Sequence, residues 1–82
     1  MIHGMYSVRD EASAAFMPPT ADLNNDTAMR NFSYALANNT MMKFKPADFS
    51  LWYVGDFDDR TGVVQAKDPL LIMRGGRQNG KK

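Results

Sequence analysis

Asp56, Asp58 and Asp59 fall within four consecutive positions, the densest set of groups in the chain that could hold a cation or move a proton. Read as a calcium loop starting at Asp56, the first and third ligand positions are filled. The fifth is then Arg60, the sixth is Thr61 where the loop needs glycine, and the twelfth is Lys67 where it needs glutamate. Asp58-Asp59-Arg60-Thr61-Gly62 therefore reads as a solvated turn. Nucleophilic catalysis is no easier to assemble: there is no cysteine and one histidine, His3, so no triad has a positioned base. Met1-Ile2-His3 could wrap Cu(II) or Ni(II) in a square-planar nitrogen set, but any free amine with histidine third does so. The expectation is a non-enzymatic chain with no metal and no cofactor.

The groups that remain are suited to binding. Formal net charge is +1, but it is unevenly spread. Residues 1–73 hold six cations against nine acids, a balance of −3; Arg74, Arg77, Lys81 and Lys82 then form a segment of +4 with no acid. Such a split is the pattern of a folded body, 1–73, carrying a flexible basic tail, 74–82. Nine residues reach at most about 30 Å. Neutralising four phosphates of a single strand would give a salt slope of roughly −3, each contact contributing about −0.7. Lys43 and Lys45 flank Phe44 and could extend this surface, and Trp52 or Tyr53, if exposed, could stack a base. The alternative makes the tail a solubilising terminus and Trp52 a core residue.

These residues need elements to hold them. From Phe49 to Phe57 an aromatic and β-branched run precedes the Asp58–Gly62 turn, and a second such run follows, which predicts a hairpin. Strict alternation would put Phe49, Leu51, Tyr53 and Phe57 on one face and Ser50, Trp52, Val54 and Asp56 on the other. Asp68-Pro69 should interrupt the second arm, leaving Leu70–Met73 as a further strand. Earlier, Tyr6 and Val8 alternate with Ser7 and Arg9, predicting a strand over 5–10, and Ala14–Met17 a second arm that stops at Pro18-Pro19. Residues 20–26 read as a loop. Thr27–Asn38 is the one predicted helix, capped by Asn25 or Asp26, with Met29, Phe32 and Leu36 on a stripe flanked by Ala28 and Ala35. Asn38-Asn39 would end it in the left-handed conformation, and residues 41–46 form a connector or short strand.

The predicted fold is a small α+β domain: an antiparallel sheet of about four short strands with one helix on one face. At 82 residues the core supplies only about 3–5 kcal/mol, and no disulfide can add to it. The hairpin carries large apolar groups on both faces, so a homodimer or small homo-oligomer is expected to cover what the helix leaves open. No apolar run nears the ~20 residues of a membrane span, and the opening residues lack a signal-peptide core.

Met5-Tyr-Ser-Val-Arg-Asp, Ala15-Phe-Met-Pro-Pro, Arg30-Asn-Phe and Phe49-Ser-Leu-Trp-Tyr-Val-Gly-Asp-Phe-Asp-Asp-Arg-Thr-Gly together resemble the small nonstructural proteins of gokushoviruses, single-stranded DNA phages of the microvirus family. The likeness runs from Met5 to about Gly62 and stops before the basic tail. It implies a DNA-binding protein similar to microvirus protein C, which turns replication from duplex copies toward single strands for new capsids. It implies viral DNA as partner, single-stranded rather than duplex, with viral replication or capsid proteins beside it, in the host bacterial cytoplasm. It carries no catalytic residues. The rival expectation is a protein-interaction module, an assembly factor or an inhibitor of a replication protein, which the acidic body favours.

Overall fold

The structure, a computed structural model, describes residues 1–76. It is an α+β protein whose antiparallel sheet is built on β1 (Ile2–Asp10) and the hairpin of β4 (Phe49–Asp58) and β5 (Val64–Arg74). β1 and β4 are central. On the outer edge of β1 lie two short strands, β2 (Ala15–Phe16) and β3 (Thr20–Asp22), while β5 forms the other edge. β3 occupies residues expected to be loop: Pro18-Pro19 ends β2, and the chain beyond it falls back beside β1.

The main helix, α1 (Asn25–Asn38), starts two residues before its predicted start. Asn24 is the N-cap, its side-chain oxygen accepting from the Thr27 amide at 2.9 Å, in place of Asn25 or Asp26. The far end also differs from expectation. Asn39 is extended, not left-handed, because it caps a second helix, α2 (Thr40–Phe44), by accepting from the Met41 and Met42 amides. Residues 41–44 are thus helical rather than extended, and Met42 enters the core with Tyr6, Ala28, Phe32, Leu36, Phe49 and Leu51. The predicted stripe holds: Ala28, Phe32 and Leu36 are buried on the sheet, with Met29 and Ala35 packed at its margin.

One extra residue in β4 reassigns half of its side chains. Tyr6 pairs with Tyr53 and Met5 with Gly55, which leaves Val54 as a bulge. A single inserted residue flips everything beyond it to the opposite face. Asp56 therefore joins Tyr53 on the helix side, where the two are hydrogen-bonded, and Phe57 joins His3 on the other, reversing the strict-alternation assignment of both. In β5 the ladder runs from Ala66 opposite Gly55 to Leu70 opposite Tyr53, so Lys67-Asp68-Pro69 bulge out across from Val54. The expected break at Asp68-Pro69 is a bulge in one continuous strand, which an edge strand tolerates because proline's missing N–H faces no partner.

At the hairpin turn the Gly62 amide donates to the Asp58 carbonyl, with Gly62 at φ 78, and the Arg60 amide donates to Asp58 Oδ1. The boundary drawn at 73/74 falls inside β5. Arg74 pairs with Ser50, and the Gly75 amide donates to the Phe49 carbonyl at 2.7 Å.

Candidate nucleic-acid interface on the open sheet face

Helix α1 covers one face of the sheet; among the described residues no helix or strand packs on the other. Register decides what stands there, because cross-strand partners project to the same side. One row crosses the sheet as Phe16, Arg9, Ser50 and Arg74, and the next carries Ser7, Trp52 and Leu71. Arg9 and Arg74 lie two strand steps apart, about 10 Å. Among the paired strand residues, register places no carboxylate on this face; Asp68 lies in the β5 bulge, outside the paired register.

Arg9, Phe16, Ser50 and Trp52 form one cluster. The Trp52 indole N–H donates to Ser50 Oγ at 2.8 Å and the indole meets Phe16 edge-to-face at 5.7 Å. The Arg9 guanidinium sits 5.3 Å from the Phe16 ring centre, a cation–π distance. Its Nε donates to Glu11 at 3.1 Å from just beyond the strand. Trp52 is half-buried and Phe16 is exposed. Trp52 lies outside the core cluster, on the open face. Tyr53, the alternative stacking residue, points the other way, packing beside Tyr6 at 5.8 Å.

The cations expected at the site divide into three groups. Arg74 is exposed on the open face. Lys43 and Lys45 are exposed on and just after α2, on the helix side, with Phe44 between them 84 % exposed. Pro46, next to Lys45, packs against Gly75, so Lys45 and Arg74 are drawn to one end of the sheet. Arg77, Lys81 and Lys82 lie outside the described residues. Sequence reading missed Arg9 and Phe16. Both residues sit in segments correctly read as extended, but their partnership across β1 and β2 depends on a register that alternation cannot supply.

The acidic groups gather elsewhere and are mostly in use. Asp56 accepts from the Tyr53 hydroxyl and pairs with Lys67 at 3.2 Å, and these contacts, the Tyr53 bond foremost, hold its carboxyl below the usual range. Tyr53 and Lys67 are correspondingly raised, each chiefly by its bond to Asp56. Asp59 accepts from the Met1 amine and His3, each at 2.8 Å, and is lowered by both, the amine first. Asp58 caps the turn. Among the described residues no three metal-ligating groups converge. A cleft of about 510 Å³ opens on the helix side over Tyr6 and Tyr53, walled by Ile2, Leu23 and Leu70 and edged by Asp26 and Asp56. The cleft is thus edged by carboxylates, whereas the paired strand residues of the open face include none.

No helix among the described residues is long and apolar enough to cross a membrane. No curated protein and no solved structure matches the chain. A family model described as Phage ORF5 protein matches residues 3–78, nearly the whole chain and, apart from Ile2, every strand and helix above. The chain thus belongs to the Phage ORF5 protein family, a family of small phage proteins.

Proposed function

We propose that this phage protein is a non-enzymatic binder of single-stranded viral DNA, using the open face of its sheet. The observation that supports this is the row of Arg9 and Arg74 with Trp52 and Phe16 between and beside them, on a face where no paired strand residue is acidic. Aromatic rings take bases of any identity, and flanking cations take the backbone. Arg77, Lys81 and Lys82 follow Arg74 in sequence and would lengthen the phosphate track. Lys43 and Lys45 would contribute from the end of the sheet. With the gokushovirus resemblance, the reading becomes a protein acting in the host cytoplasm as microvirus protein C does, where replication turns to single strands for packaging.

Replacing Arg9 and Arg74 together by glutamine tests it. The expected result is weaker binding with a salt slope less steep by about 1.4, two single-strand contacts at roughly 0.7 each. An unchanged slope would remove both arginines from the interface.

A second reading has its own support. The helix-side cleft combines exposed Ile2, Leu23 and Leu70 with acidic edges, which suits a basic segment of a viral replication or capsid protein. Retention of such a protein that is lost with Leu70→Asp, alongside no DNA retention, would favour it.

A further inference from the structure

We infer that the apolar groove beyond Trp52 is a seat for an unstacked nucleobase, which restricts the open face to single strands; this rests on the DNA-binding reading above. The groove encloses about 440 Å³ and is lined by Ser7, Phe16, Pro18, Pro19, Val54 and Pro69. It continues the aromatic cluster directly. Phe16 is both its wall and the ring under Arg9 and against Trp52, and Val54 lies two residues along β4 from Trp52. Its shape comes from the irregularities of β4 and β5 around Val54. Val54 projects here by alternation from Trp52 and, being bulged, has no partner on β1, while Pro69 lies in the bulge of β5 across from it. The third wall is a strap, Met17 to Pro19, held down by the Met17 amide on the Val8 carbonyl and by Ser7 Oγ donating to the Met17 carbonyl at 2.6 Å.

Charge and chemistry select the occupant. The groove adjoins the Arg9 row and no acidic residue lines it, so a polyanion can lie across it while its base enters. The volume is within the range of small-ligand sites, and the flat Phe16 ring with the apolar proline rings suits a flat heterocycle. Ser7 is the one polar side chain of the lining, and its hydroxyl proton is already given to Met17. The seat therefore reads no base edge and should be sequence-tolerant. A paired base has both faces stacked and cannot enter without leaving the helix.

The test compares an eight-nucleotide thymidine strand with the same strand made abasic, by fluorescence anisotropy, for the native chain, Val54→Phe and Pro69→Trp. Val54→Phe fills the groove from its floor; Pro69→Trp fills it from an exposed wall on the edge strand and does not depend on the Val54 bulge of the central strand surviving a larger residue. The native chain should prefer the thymidine strand by about fivefold or more. Each filled variant, folded by circular dichroism, should lose most of that preference while holding the abasic strand within about twofold. Filled variants that keep the full preference, or that weaken both strands equally, would overturn the groove as a base seat and leave the cationic face standing. If neither strand binds the native chain, the reading of the face fails and the groove falls with it. Binding of a proline-rich peptide that the filled variants abolish, with neither strand bound, would assign the groove to a protein instead.

Discussion

At the scale of single residues, the chain keeps its negative and positive groups at different work. Asp56 shows it most plainly. Held by Tyr53 and Lys67, its carboxyl titrates below the ordinary value, so the folded form binds protons less readily than the unfolded chain. A lowered carboxyl contributes stability that is fully present above its unfolded value, about 3.9, and is lost as pH falls through the folded value. Asp56→Asn should therefore melt below the native chain at pH 7, and the gap between the two should narrow as pH falls below the ordinary carboxylate range. A gap that stays constant over that fall would mean that the substitution acts through packing rather than charge. Tyr53 and Lys67 carry the opposite sign: their raised values add stability below their unfolded values that is lost as pH rises through the folded ones. None of these three lies on the proposed DNA face, so binding should survive Asp56→Asn.

At the scale of elements, bulges and close approaches decide which residues meet. The hairpin and the helix stripe were legible because each rests on periodicity within one segment: Phe32 and Leu36 by helical spacing, Phe49 and Leu51 by alternation. The faces beyond Tyr53 were not. The Val54 bulge is set by how β4 pairs with β1 and β5, information that no single strand contains. Trp52 was named as a stacking candidate from composition alone, but Phe16 and Arg9 become its neighbours only once β2 pairs with β1. Asn39 was read as a helix end and is one, yet its second role as the cap of α2 depended on the same side chain reaching forward. Gly75 marks the tightest of these approaches. A methyl group there would overlap the Pro46 carbonyl and come within 2.9 Å of the Phe49 carbonyl, both of them backbone. Gly75→Ala must therefore push the end of β5 away from β4, at a cost of about 1–3 kcal/mol. For a domain of this size each kcal/mol lowers the melting temperature by about 4–8 °C. A melting temperature unchanged within 2 °C would show that the strand end is not locked as described. The same substitution should also weaken DNA binding, since it displaces Arg74.

At the scale of the whole molecule, the sheet separates two environments. The helix side has the core, the acid-edged cleft and the Asp56 network. The open side has aromatic rings, two arginines and a proline-walled groove. A net charge close to zero says nothing about this division: register puts Asp10, Asp22, Asp56 and Asp58 on the helix side, while Glu11 is paired with Arg9 at the edge of the open face. On the function proposed above, this face binds single-stranded DNA through Trp52 and the cations around it. The most direct measurement is anisotropy of labelled single-stranded and duplex DNA titrated with the protein across a range of salt, with Trp52 emission recorded in parallel. The expected result is preference for the single strand, a salt slope of roughly −3 or steeper, and quenching of Trp52 that follows the binding curve. Binding without any Trp52 response, or no binding at low salt, would contradict it.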